Sequence, residues 1–331
     1  MSKQFIRHYF AIGIIIVVSI FFRFVVLDQI PTGITNDELD YVLNAKSIWM
    51  TGKDMSQLWS PSSLTAPLGT FPMAELPAVF MSPFIGPFPL SLLTARFGYA
   101  LLGSLLPLVL YYLTYQLFHS KKTSFIVGII AAINPWGIFF SRTCLDAPLA
   151  VLFFYVFFLF AVQDNIRNYL FSIIPYFIAF FSYIGTKIIA VPIALLPLLL
   201  NIGSKRKTIS KTILLLVSSI SLTIFFLLTT LTNPARSRMN ELFLPSNDAV
   251  VSGVNSERKL SLPNPSTRFL LNKITSYWTI SVSKYLNAFS PNLLFLNGDT
   301  RSAFSVWVHG YFYIIDILFL FYGFAAMFRK H

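Results

Sequence analysis

An all-α, polytopic membrane protein is the fold class this sequence predicts, and three observations predict it. Hydrophobic residues fill 55% of the 331 positions and charged residues 11%, against about 25% charged in a soluble domain. Mean hydropathy is +0.68. The apolar residues gather into runs separated by short basic clusters, the pattern left by the preference of Lys and Arg for the cytoplasmic side of a membrane. The net charge of +12, from 25 basic and 13 acidic residues, therefore reads first as topology and as attraction for anionic lipid or phosphate, not as nucleic-acid binding. The core is expected to be one helix bundle in lipid, a single domain over residues 1–331. Cys144 is the one cysteine, which excludes an internal disulfide and a cysteine-rich metal site.

The elements follow in order. Residues 9–27 form a first apolar run long enough to span a ~30 Å hydrocarbon core. It lacks the short core and small-residue cleavage site of a signal peptide, so a retained span is expected. Lys3, Arg7 and His8 precede it and place the N-terminus in the cytoplasm. Residues 28–88 then form a long outer loop. A second span at 89–118 ends on the basic cluster His119-Ser-Lys-Lys122. Spans at 125–140 and 147–162 bracket an outer turn holding Arg142 and Asp146. Spans at 169–183 and 188–200 bracket a second outer turn, Gly185-Thr-Lys187. The most basic loop, Gly203 to Lys211, falls inside, before a span at 212–231. Residues 232–305 make a second long outer loop, with a helix near 267–286. A last span at 306–328 returns the C-terminus to the cytoplasm. Every short basic cluster falls on the inner side of this alternation, giving about eight spans.

The acids are distributed unevenly. Of the 13, six (Asp28, Asp37, Glu38, Asp40, Asp54, Glu75) lie between residues 28 and 75. The densest stretch is Thr35-Asn-Asp-Glu-Leu-Asp-Tyr41, just beyond the first span. Thr35-x-x-Glu38 has the form of a capping box, so a helix is expected from about 36 to 50. Leu39, Val42, Leu43, Trp49 and Met50 fall roughly on one side of it. Asp37, Asp40, Tyr41 and Asn44 share the other, giving an amphipathic helix along the outer interface. Acids in a first helical turn are ordinary, because the helix dipole favours them there. The same field keeps Asp37 ionised, able to act as a base or to hold a cation.

Other charged residues recur at outer ends of the apolar runs. Glu75 lies in Phe71-Pro-Met-Ala-Glu-Leu-Pro77, and Arg96 early in the second span. Arg142 and Asp146 are four apart and close enough in sequence to pair. Lys187 stands at an outer helix end, where a lysine also snorkels. Asp299 follows Asn297-Gly298, a turn sequence. Asp316 sits inside the last span, where a carboxylate is protonated, paired across helices or functional. No Gly-rich phosphate loop, His-x-x-x-His pair or Gly-x-Ser-x-Gly elbow is present. An enzyme with this layout needs a substrate activated within the membrane, as phosphorylated lipid carriers are. An outward cation would bind the phosphate and a carboxylate would serve as base.

The layout of one span followed by Pro31-Thr-Gly-Ile-Thr-Asn-Asp-Glu-Leu-Asp-Tyr41 and Ala45-Lys-Ser-Ile-Trp-Met-Thr-Gly52 resembles the first outer loop of the GT-C superfamily of integral-membrane glycosyltransferases. The nearest likeness is to family 39-like members, the protein O-mannosyltransferases and the lipid A aminoarabinose transferases. Arg96, Asn134-Pro135, Ser141-Arg142 with Asp146, Lys187, and Leu294 to Asp299 with His309-Gly310-Tyr311 follow in the family's order. The resemblance implies a GT-C-like bundle in the cell membrane with its active face outside and amphipathic helices in the first outer loop. It implies a polyprenyl-phosphate-linked sugar as donor and inverting transfer to a hydroxyl of a protein, lipid or polysaccharide. Asp37 would be the base and Glu38 its support. Arg142 and Lys187 would meet the lipid phosphate, with Glu75, Arg96, Asp146 and Asp299 as further substrate-binding positions. A divalent cation on Asp37 and Glu38 stays open, since a carboxylate pair either holds an ion or works alone. Two departures stand out. Ala74-Glu75-Leu76-Pro77 replaces the family's Lys-Pro-Pro-like or Tyr-Pro-Pro-like segment, and the chain is shorter than its relatives, as a fragment or short variant would be. A transporter or flippase of lipid-linked substrates, and a non-catalytic membrane subunit, are the alternatives.

Overall fold

The computed structural model describes residues 3–57, 74, 76–163, 166–200, 205–231, 247–261, 269–299 and 309–329. Among these the regular elements are all helical. The chain divides into two compact units, Met1–Thr232 and Asn233–His331, where the sequence suggested one domain.

The first unit holds α1 (Lys3–Phe24), α2 (Asn36–Thr51), α3 (Pro77–Ile85), α4 (Leu92–Phe118), α5 (Lys121–Ile133), α6 (Pro135–Ser141), α7 (Ala147–Ala161), α8 (Ile166–Ser182), α9 (Thr186–Leu200) and α10 (Lys205–Leu231). Helix α4 is its axis, packed against α1, α3, α5, α6 and α7. It starts on a reciprocal cap between Ser91 and Thr94 and stops at His119 in the left-handed conformation. Ile12, Ile15 and Tyr111 form the α1–α4 contact, and Gly128 lets α5 approach, since a Cβ there would lie 2.6 Å from Ile15 Cδ1. The expected third span is bent. Pro135 has no N–H and forbids helical geometry at the residue before it. Asn134 instead caps α6 through Gly137 N–H (2.7 Å), and α5 and α6 meet at 55°.

By length and apolarity, α4 suffices to cross a membrane, and the bent pair α5–α6 does so if counted as one span. The remaining apolar stretches, such as Tyr9–Phe24 and Ala147–Ala161, are shorter. Fifteen helical residues rise only about 22 Å against a ~30 Å core. The bundle of about eight spans expected from sequence is therefore an all-helical protein with one or two helices of crossing length among the described residues.

Helix α2 lies on α3 with its faces turned from the expected arrangement. Its buried side chains are Glu38, Tyr41, Val42, Ala45 and Ile48, and the last four join Ala78, Met81, Ile85, Ala95, Tyr99, Cys144 and Leu149 in one cluster. Leu39, Trp49 and Met50, expected on the apolar side, are exposed, and Tyr41, expected on the polar side, is buried. Tyr41 and Glu38 have polar partners inside the fold, and these bonds set which side of the helix is buried.

The second unit holds α11 (Asn247–Leu260), α12 (Lys273–Ala288), a single π turn (Asn292–Leu296) and α13 (Asp316–Arg329). Asp316 is the first residue of α13, and its Oδ2 accepts from Tyr313 N–H (3.0 Å), a capping bond that occupies the orphan amide of a helix start.

Candidate functional site

The site is built at the N-terminus of α2. Thr35 caps the helix as the sequence predicts, its Oγ1 accepting from Glu38 N–H (3.2 Å). The reciprocal half of the capping box is replaced. Glu38 turns inward, and its Oε1 accepts from Arg96 Nε (3.0 Å) and from Cys144 N–H (3.0 Å). Both side chains of this ion pair are 1% exposed. Arg96 also donates to the carbonyls of Pro31 (2.8 Å), Leu27 (3.4 Å) and Gly33. The pair thus joins α2, α4, the α6–α7 turn and the connection after α1.

Arg142 does similar work next door. Its guanidinium donates to the carbonyls of Phe22 (2.8 Å), Val25 (2.8 Å), Val26 (2.9 Å) and Ile30 (3.0 Å). It caps the C-terminal end of α1 and the turn beyond, where a cation also complements the helix dipole. Burial, and then the neighbouring Arg96 charge, lower its proton affinity. Arg142 does not pair with Asp146. Among the described residues the ion pair is Glu38–Arg96.

Asp146 has different partners. Its Oδ2 accepts from Tyr41 Oη–H (3.0 Å) and its Oδ1 from Ala147 N–H (2.9 Å) at the start of α7. Tyr41 Oη also accepts from Ala74 N–H (3.3 Å). Burial raises the Asp146 carboxyl to about 6. The bonds from Tyr41 and Ala147 partly offset this, and the nearby Asp37 charge adds to the rise. Burial, and then the Asp146 charge, also push the Tyr41 phenol well up. Asp37 is exposed and within electrostatic reach of Asp146. Tyr99 and Tyr183 lie within the same reach, and the Tyr99 hydroxyl is buried with no hydrogen-bond partner among the described residues. Lys187 is buried at the α8–α9 corner. Its Nζ donates to Phe180 O (3.3 Å) and lies over the rings of Phe180 (5.6 Å) and Phe181 (5.7 Å). Leu76 N–H, donating to Phe181 O (3.1 Å), ties this corner to the start of α3.

No protein-family model, curated protein or solved structure matches the chain.

Of the residues singled out in sequence, the fold brings Asp37, Glu38, Arg96, Arg142 and Asp146 into one neighbourhood. Glu75 lies outside the described residues. Asp299 belongs to the second unit, in a bend after Gly298 (φ 66°) and within electrostatic reach of Tyr311. There His309-Gly310-Tyr311 does meet the Leu294–Asp299 segment: Phe312 N–H donates to Leu294 O (2.8 Å), and a Cβ on Gly310 would lie 2.5 Å from that oxygen. Asp37 and Glu38 do not fit as joint ligands of a cation, because Glu38 points into its pair with Arg96 while Asp37 faces out. Among the described residues no group of three or more potential metal ligands forms.

Tyr41 is the participant that sequence reasoning misplaced. Its position four residues after Asp37 put it on a face with the acids, yet it faces Asp146, 105 residues away. Nothing local to the sequence marks that contact.

Proposed function

We propose that this chain is a membrane-embedded glycosyltransferase that moves a sugar from a polyprenyl-phosphate donor to an acceptor hydroxyl at the outer face of the cell membrane, with inversion. The observation that carries the proposal is the exposed carboxylate of Asp37 in the first turn of α2, a helix seated by the Tyr41–Asp146 bond and by the Glu38–Arg96 pair. A polytopic GT-C-like arrangement is consistent with the large apolar side chains exposed on α1, α4, α8, α10 and α13, which suit hydrocarbon better than water.

In this reading Asp37 takes the proton of the acceptor hydroxyl. The acceptor oxygen forms its bond to the anomeric carbon as the bond to the phosphate oxygen breaks, and the lipid phosphate leaves with the electron pair. Asp146 holds the Tyr41 hydroxyl and with it the inner side of α2. Arg142 and Lys187 are the cations assigned to the lipid phosphate in this reading, although Arg142 already donates to carbonyls of the α1 end and Lys187 to Phe180 O. The acceptor remains a protein, lipid or polysaccharide hydroxyl. A transporter or flippase of lipid-linked substrates is the alternative, disfavoured by the lack of matched halves in the sequence.

The test is sugar transfer from a polyprenyl-phosphate donor by purified full-length protein. Asp37→Asn is expected to lower the rate about 10²–10⁴-fold, the usual contribution of a general base, with an unchanged melting temperature because Asp37 is exposed. An unchanged rate removes Asp37 as base. Donor binding with no turnover by the native chain points to the non-catalytic subunit instead.

A further inference from the structure

Helix α12 forms without a buried face. None of its 16 residues is buried, although it is well capped: Asn272 Oδ1 accepts from Ile274 N–H (2.8 Å) and Thr275 N–H (3.1 Å), and Asn272 N–H donates to Thr275 Oγ1 (3.1 Å). A helix this short is marginal in water without tertiary packing. One side, with Thr275, Ser276, Thr279 and Ile280, faces a cleft shared with Ala249 and Gly253 of α11. The other side carries Ile274, Trp278, Tyr285 and Phe289, which are 61–81% exposed. At about 100° per residue these four fall within a stripe roughly 60° wide. Lys273 and Lys284, eleven residues apart, lie about 20° from each other along one flank of it. The segment Lys273–Ala288 contains no Asp or Glu.

We propose that α12 lies in the plane of the membrane interface. Its Ile274–Trp278–Tyr285–Phe289 stripe is set among the upper acyl chains, and Lys273 and Lys284 meet lipid phosphates. Trp and Tyr present an apolar ring with a polar tip, which suits them to the headgroup boundary. Two aligned lysines and no acid complement a phosphate layer. The same unit carries a second element with the same need. Helix α13 exposes Leu318, Phe319, Leu320, Phe321, Tyr322 and Phe324 by more than half, apolar all around, and it follows the segment pinned to the π turn through Phe312 and Leu294. A lipid surface covers both. The proposal rests on the chain being a membrane protein and not on sugar transfer.

The experiment is spin labelling of the full-length protein in nanodiscs of phosphatidylcholine and phosphatidylglycerol. Single cysteines replace Ile274, Trp278 or Tyr285 on the stripe, and Ser283 or Asn287 on the polar side. Native Cys144 is buried, and unsubstituted protein controls for its labelling. Labels on the stripe are expected to collide severalfold more with oxygen than with a nickel chelate, and the polar-side labels to show the reverse. Stripe labels that are as open to nickel as the polar ones overturn the proposal. So do stripe labels that are immobilised and closed to both reagents, which indicates a protein partner or a second copy. A chain that fails to enter nanodiscs overturns the membrane reading too. Loss of transfer activity with a lipid-exposed stripe leaves this inference standing and refutes only the transferase.

Discussion

Asp37 and Glu38 are chain neighbours with opposite fates. Glu38 is sealed against Arg96 and the Cys144 amide, while Asp37 is exposed at the helix start. Removing one partner of a buried ion pair leaves an uncompensated charge and costs about 3–5 kcal/mol. Glu38→Gln is therefore expected to lower stability by that order, read as denaturation in detergent, and to reduce activity through lost folded protein. An activity loss at full stability would instead put Glu38 in the chemistry. Asp146 supplies a pH signature. Its folded carboxyl binds a proton more tightly than the ordinary carboxyl at 3.8, so the folded state holds more protons between pH 3.8 and about 6. The cost of burying the charge is fully present above about pH 6 and is relieved as pH falls toward 3.8. That difference amounts to at most about 3 kcal/mol. The stability gap between native protein and Asp146→Asn is expected to change across this window, the native chain gaining on the variant as pH falls. A gap independent of pH would mean that Asp146 titrates as an ordinary carboxyl.

At the scale of elements, the site depends on how α2 seats on α3. The end of α3 is so close that a Cβ on Gly86 would lie 2.1 Å from Trp49 Cγ and 2.3 Å from its Cβ. Lys46 Nζ crosses the same contact to the carbonyls of Gly86 (2.6 Å) and Phe88 (2.8 Å). Trp49 is 52% exposed yet fixed near its backbone, so it cannot simply swing away. Gly86→Ala is expected to destabilise by about 1–3 kcal/mol, the range for overpacking, and to weaken protection of the α2 amides in hydrogen exchange more than those of α5. Uniform protection would show that the α2–α3 contact is not tight. The expected position of α2, about 36 to 50, was legible from Thr35 and the acids. Its orientation was not, because Tyr41 and Glu38 answer to partners more than 50 residues away.

For the molecule as a whole, topology is the decisive question. From the positive-inside pattern we propose that Asp37 lies outside, and Lys121 and Lys205 inside. Cysteines introduced at Asn36 and at Lys121 in intact cells are expected to differ: a membrane-impermeant thiol reagent labels the first and not the second. The buried native Cys144 gives a low background. Equal labelling of both would overturn the alternation and, with it, the outward site. The second unit is open to the same assay at Ser283 on α12.

Local pattern by itself determined the helical class, the position of most helices, the Thr35 cap and the concentration of acids after the first apolar run. These follow from composition, from periodicity and from backbone rules that act over a few residues, which is why the Asn134-Pro135 break also carried a local signal. Only the tertiary structure decided which acid does what. It drew Glu38 into a buried pair, made Arg142 a cap for the end of α1, placed Asp316 at a helix start and set Asp146 against Tyr41. Each outcome turns on desolvation and on carbonyls and amides brought from distant segments. Such partners do not exist until the helices pack.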